Sequence, residues 1–340
     1  MIGFLGRVAF ILMACGLLIS GGLFALSASW LADRTAELSA MGETVETESG
    51  LQAVAKRAGG VRVLVIHGEQ GGFDQGMVLA DLIGLEDAEV IAPSRPGYLG
   101  TGLEVAGGFR EQARALARLV EAMGISGGLP VLAFGTGAPV ALWLAAENPE
   151  IVEVVALVSG VYRPPEIRMP RVMRFGGVQL PDGLAGLLAE VSPCFFAEAF
   201  LEETVGLTAG ETEAGASLIR KDEHLRDALG KFLLSCLPGD VRLVGTKNDL
   251  AQLGGDGAIP GDERSIVCPV LIVHGELDRI SPLDSMQVVK GRLPRARTLV
   301  VRGAGHWPWV SPEWKNLRGE LAFFLGAGQV GGSEGDLPAD

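Results

Sequence analysis

Residues 129–150, LPVLAFGTGAPVALWLAAENPE, constrain this chain more than any other stretch. An apolar run over 129–134 passes directly into small residues, and a helix-forming segment over 139–147 stops before Pro149. A strand that enters a helix with no intervening loop brings the two backbones almost into contact. Positions two before and two after the apex must then be small, and Ala133 and Gly137 meet that need around position 135. The layout is that of a nucleophile elbow, whose apex carries Ser, Cys or Asp. Here the apex is Gly135, so the turn has no reactive side chain.

The same strand–helix rhythm runs on both sides of the turn. VRVLVI (61–66) reads as a buried strand ended by His67 and Gly68, and AEVIAP (88–93) as another. Residues 109–123 have helical spacing of apolar positions and end before Gly124; residues 151–158 are again strand-like. Such alternation predicts a mostly parallel sheet covered by helices on both faces. The rhythm lapses over 160–265, too long for a loop, and predicts a mainly helical insertion with helical stretches at 195–204 and 222–237. It resumes with PVLIVHGELD (269–278), a helix near 283–292, a strand at 298–302 and a last helix over 312–325. The core therefore comprises 61–159 and 266–326, and the Gly-rich acidic tail 327–340 is expected to be disordered.

Ahead of the core, residues 8–31 contain no charged residue, enough apolar chain to cross a bilayer as a helix. Arg7 precedes the run and Asp33, Glu37, Glu43 and Glu46 follow it, which places the domain outside the cytoplasm. Residues 1–31 are thus expected to be a single-pass anchor. The alternative is a signal segment cut near Ser27, Ala28 and Ser29, giving a secreted or periplasmic protein. Residues 32–60 read as a polar stem, partly helical over 51–57, with no strand before Val61, so that the sheet is shortened at that edge. The formal net charge of −13 and the lack of a basic stripe exclude a nucleic-acid partner. Four cysteines show no metal-type spacing, and Cys194 with Cys236 is the one pairing that an oxidising compartment would favour over buried thiols. No metal cluster, dinucleotide fingerprint or phosphate loop is present, so no cofactor is expected.

Taken in order, HGEQG (67–71), RPGYLGTG (95–102), the elbow, the helical insertion, HGELD (274–278) and GAGHW (303–307) resemble the α/β-hydrolase fold family, and VSGVYRPP (158–165) its capped, esterase- and lipase-like bacterial members. The resemblance covers residues 61–326. It implies that Asp278 is the acid and His306 the base of a triad, and that the backbone amides of Glu69 and Thr136 form an oxyanion hole while their side chains are nearly free to vary. Thr136 is a poor substitute for the missing nucleophile, because it would put Phe134 at the position that must be small. His67 and His274 read as loop supports, Arg95 as part of a structural turn and His224 as a surface residue of the insertion.

With Gly135 at the apex, the serine mechanism that the resemblance implies is closed. The chain reads as a membrane-anchored, serine-esterase-like hydrolase-fold protein whose turnover is in doubt. The alternatives are a catalytically inactive binding or scaffolding protein at the cell envelope, a water-activating site built on His306 and Asp278, or an inactivated variant of a serine hydrolase. The resemblance further implies a small apolar or acyl ligand. Phe195, Phe196, Phe200 and Leu201 either roof the site or dock the cap on the core, and the docking role is the plainer of the two.

Overall fold

A computed structural model describes residues 2–165, 174–175, 178–192, 209–253, 255, 258–261, 265–293 and 295–327, with the side chains of 2–14, 16, 174–175, 178–179 and 209–212 outside that description. An eight-stranded sheet runs in the order β1-β2-β4-β3-β5-β6-β9-β10. Its centre is β3 (Arg62–Ile66), β4 (Glu89–Pro93), β5 (Leu129–Phe134), β6 (Val152–Val158), β9 (Val270–Gly275) and β10 (Arg297–Val301), all parallel to one another. Every residue of β5 and of β9 is buried. That is why these strands read as unbroken apolar runs rather than alternating ones.

Helices cover both faces. They are α2 (Phe73–Ile83), α3 (Phe109–Ala122), α4 (Gly137–Glu147), α9 (Leu283–Arg292) and α10 (Trp314–Phe324). Two large apolar clusters result, one on each side of the sheet. Val65, Leu132, Val158 and Val273 point to one; Leu64, Val131, Leu157 and Ile272 point to the other. Between β6 and β9 stand the two-residue strands β7 (Arg174–Phe175) and β8 (Val178–Gln179), then α5 (Asp182–Val191), α6 (Ala209–Lys221), α7 (Glu223–Leu234) and α8 (Asp240–Gln252). The insertion is mainly helical, as the sequence predicts. Phe195, Phe196, Phe200, Leu201, Cys194 and the tail 328–340 lie outside the described residues. Cys236 is a buried free thiol, which burial pushes up to about 12.

The N-terminal region departs from the expected stem. Residues 42–57 form β1 (Gly42–Thr47) and β2 (Gly50–Arg57), an antiparallel hairpin that pairs through β2 with β4 and completes the sheet at the edge expected to be short. The segment 51–57 is strand, not helix. Ala53, Val54 and Ala55 are buried in β2, whereas β1 is a half-exposed edge strand carrying Glu43 and Glu46. Alanines in β2 and charges in β1 hide the alternation that marks a strand.

Helix α1 runs unbroken over Ile2–Met41 and leads straight into β1. Trp30, Arg34 and Leu38, spaced four apart, form its buried stripe. Trp30 Nε1 donates to Glu190 of α5 at 2.8 Å, and Arg34 Nη2 donates to Asp74 of α2 at 2.6 Å. A Cβ at Gly186 would lie 2.2 Å from the Trp30 ring, so glycine there is what lets α5 press against α1. Toward its N-terminus the helix leaves the body, and Leu17, Leu18, Ile19, Phe24 and Leu26 are all more than half exposed. Part of the apolar run 8–31 has side chains outside the description, and among the described residues no helix is long and apolar enough to cross a membrane.

Candidate active site

The turn after β5 has the geometry that its small residues predict. Gly135 sits at φ +53°, in the left-handed region that a side chain resists. A Cβ at Gly137 would meet the His67 carbonyl oxygen at 2.5 Å, so position 137 cannot carry one. The amide of Gly135 donates to the Val158 carbonyl and its own carbonyl accepts from Val161, which ties the turn to the end of β6.

Asp278 follows β9 and His306 lies in the loop between β10 and α10, and the two meet. His306 Nδ1 and Asp278 Oδ2 are 2.8 Å apart. The other carboxylate oxygen of Asp278 accepts from the amides of Ile280 and Ser281, both at 2.9 Å, which fixes its orientation. His274 reaches the Ser281 carbonyl through Nε2 at 2.6 Å, and burial holds its pKa below the usual value although Asp278 acts against this. It is a neutral loop support.

Glu69 does not behave as a backbone contributor with a free side chain. Its carboxylate turns inward and is 8% exposed. Oε2 accepts from the Thr136 amide at 3.1 Å and stands 2.5 Å from where a Cβ on Gly135 would be. Oε1 lies 3.4 Å from His306 Nε2, an ion-pair distance, and Nε2 itself makes no hydrogen bond. A nucleophile side chain at 135 would have to share this space with a carboxylate from the loop after β3, and one of the two amides expected to hold an oxyanion is already bonded to it. The sequence carried a usable signal. A carboxylate at position 69 is out of place beside a working serine and fits a turn that lacks one.

Electrostatics follow from this pairing. Burial opposes an imidazolium at His306, but Asp278 and then Glu69, by charge and hydrogen bonding, outweigh it and push its pKa up to about 10. Burial likewise opposes a charged Glu69, yet His306 and the amides of Glu69 and Thr136 hold its pKa below the ordinary carboxylate value. The site is therefore a carboxylate–imidazolium–carboxylate row at neutral pH. An imidazolium has no free lone pair, so His306 in this arrangement cannot take a proton from water, which removes the basis of the water-activating reading.

The rise in the His306 pKa stabilises the folded chain fully below its unfolded value of about 6.5, and that stabilisation is lost as pH climbs toward 10. The Tm advantage of this chain over a His306→Gln variant should accordingly shrink between pH 6.5 and pH 10. Thermal unfolding at several pH values reads this directly, and a constant difference would show that the two carboxylates do not hold an imidazolium.

Around the row lies a second buried network that spacing did not reveal. Arg95 is fully buried and donates to the carbonyls of His67 and Gly68, both at 3.1 Å, and to Thr136 Oγ1 at 2.8 Å. Asp249 of cap helix α8 lies 2.7 Å from Arg95 Nη2 and accepts from Thr136 Oγ1 at 2.9 Å and from Tyr98 at 2.6 Å. Arg95 thus locks the loop that carries Glu69, and Asp249 clamps the cap on it. His67 is held neutral by burial and by Arg95. Its Nδ1 donates to the Gly68 carbonyl, and its Nε2 accepts from the Arg95 amide. Phe134, Phe232, Trp307 and Trp309 form a ring cluster beside the site, with Phe134 5.2 Å from the His306 ring. Among the described residues no group of side chains is arranged to hold a metal.

Comparison with known proteins agrees with this architecture. A family model described as alpha/beta hydrolase fold matches residues 61–310. The uncharacterized hydrolase YcgS of Bacillus subtilis (strain 168) is 22% identical over 287 residues, covering 83% of this chain and 98% of that protein. The alpha/beta hydrolase fold protein from Nakamurella multipartita superposes with a TM-score of 0.74 at 24% identity, over 84% of this chain and 99% of its own. A membrane phospholipase A, a bacterial virulence factor, superposes with a TM-score of 0.56 at 18% identity, over 94% of this chain and 98% of its own.

Proposed function

Because the chain belongs to the alpha/beta hydrolase fold family, we propose that it is a membrane-anchored, esterase-like member that does not run acyl-serine chemistry and engages a small apolar or acyl molecule beneath its cap. One observation carries this reading. The Glu69 carboxylate stands where the nucleophile of an elbow would stand, bonded to the Thr136 amide and paired with His306. Gly135 has no side chain with which to form an acyl intermediate, so the expected outcome is no labelling by fluorophosphonate probes and no burst with activated esters. Labelling that survives in a Thr136→Ala variant and is lost in His306→Ala would show a serine route elsewhere in the chain and overturn the reading.

The membrane placement rests on the uncharged run 8–31 and on the exposed apolar side chains where α1 leaves the body. That a similar structure is named a membrane phospholipase A is in keeping with it. The protein should stay with membranes through carbonate extraction, with the body of the chain on the extracytoplasmic side. A mature chain beginning near Trp30 and recovered in the soluble fraction would favour signal cleavage. That result also predicts a loosened α5, since Trp30 and Arg34 dock the helix on the body.

A further inference from the structure

We propose that Glu69 is itself a covalent nucleophile, and that its substrates are strained cyclic ethers, epoxides, which the site opens to diols. The inference goes beyond the closure of the serine route and does not depend on the membrane placement.

Three features of the site carry it. First, the two oxygens of Glu69 are held differently. Oε2 is fixed by the Thr136 amide at 3.1 Å, while Oε1 points to His306 Nε2. Second, His306 Nε2 is buried, carries a proton in the ion-paired state and makes no hydrogen bond, so a donor is aimed into the space beside Oε1 without an acceptor. A buried donor left in this way is costly unless something is meant to receive it. Third, the groups already stand in the protonation states that such a reaction needs. The carboxylate is ionised, and the acid beside it is protonated and oriented by Asp278.

The carboxylate lends itself to saturated carbon rather than to an acyl centre. Attack on an ester carbonyl creates an oxyanion that needs the Thr136 amide, and Oε2 already occupies that amide. Attack at a saturated carbon creates charge only on the departing atom. An oxygen that departs beside Nε2 can take the imidazolium proton, and ring strain supplies the drive.

The atoms balance over two steps. Oε1 bonds to a ring carbon and the carbon–oxygen ring bond breaks. Its electron pair goes to the ring oxygen, which takes the Nε2 proton, leaving a hydroxyalkyl ester of Glu69 and a neutral His306. Esterification removes one of the two charges that raised the histidine's pKa, so His306 is then able to act as a base. It takes a proton from water, whose oxygen attacks the Glu69 carboxyl carbon. Charge on Oε2 is held by the Thr136 amide, which is already in place for it. Collapse breaks the bond between that carbon and Oε1, Oε1 leaves as the second hydroxyl of the diol with the histidine proton, and the water oxygen remains in Glu69. The net reaction is epoxide plus water to diol.

That route leaves an isotopic mark. With the full chain in excess over styrene oxide in ¹⁸O-water, the first diol should carry only ordinary oxygen, and the peptide containing Glu69 should gain one ¹⁸O. Glu69→Gln keeps the shape and lacks the nucleophilic oxygen, so turnover should fall by about 10³-fold or more. If a panel of aryl and terminal epoxides gives no diol, the proposal fails. It fails equally if diol forms with ¹⁸O in the product and none in Glu69, since water would then have attacked directly. Both readouts use the unmodified protein, so they do not depend on the variant's folding. A positive fluorophosphonate result would instead count against the closed serine route alone.

Discussion

A Gly135→Ser, Glu69→Ala double variant is expected to react with fluorophosphonates and to hydrolyse activated esters about 10³-fold faster than either single variant. The serine alone is not enough. Its Cβ would lie 2.5 Å from Glu69 Oε2, so hydroxyl and carboxylate compete for one space and one amide. His306 would also stay paired with two carboxylates and protonated, unable to take the serine's proton. Glu69→Ala clears the space and keeps the backbone amide of residue 69. It also removes one carboxylate from His306, which lowers the histidine's pKa toward the range of a base. Asp278 remains, 2.8 Å from Nδ1, to orient the ring. Serine at φ +53° costs roughly 1–3 kcal/mol of stability, so both serine variants should melt earlier than the parent, by similar amounts. Rates of probe labelling decide the matter. Should Gly135→Ser alone label as fast as the double variant, Glu69 does not occupy the nucleophile's place.

The double variant also shows where the sequence was legible and where it was not. Strands β3, β5, β6 and β9 are buried on both faces, and a strand of that kind must be an unbroken run of Val, Leu, Ile and Ala. The elbow was legible for a related reason, because close contact of strand and helix leaves no freedom at Ala133 and Gly137. Asp278 and His306 came from family-like motifs, and the structure brings them within hydrogen-bonding distance. Glu69 was assigned a backbone role because the motif constrains only its amide. The direction of its side chain depends on a vacancy at residue 135, on another strand, and no local pattern reports such a pair. The hairpin of β1 and β2 was missed because edge strands are allowed charge and exposure, so their sequence looks like a stem. Asp249 was missed for want of any motif. It matters only because α8 folds back over Arg95 and Thr136.

Asp74→Asn is expected to destabilise the chain by about 3–5 kcal/mol, a larger loss than any surface substitution should bring. Asp74 is 2% exposed, in the first turn of α2, and two arginines converge on it. Arg242 of α8 binds both of its oxygens at 2.9 Å, and Arg34 of α1 donates to Oδ2 at 2.6 Å. An amide of the same shape cannot neutralise either guanidinium. Arg242 is completely buried and would be left with the carbonyls of Leu237 and Pro238. A fall in Tm on the order of 10 °C follows from that loss. Glu147→Gln is the control. It breaks the pairs with Arg110 and Arg114, whose side chains are about half exposed, and should cost under about 1 kcal/mol. Equal Tm shifts in the two variants would mean that the buried cluster is no stronger than a surface pair. The order of events in Asp74→Asn should be informative as well. Asp74 joins the N-terminal helix, the core and the cap at one carboxylate, beside the loop that carries Glu69. Its loss should free α8 before the sheet unfolds, so limited proteolysis is expected to cut within 240–252 at temperatures where the central strands still resist exchange.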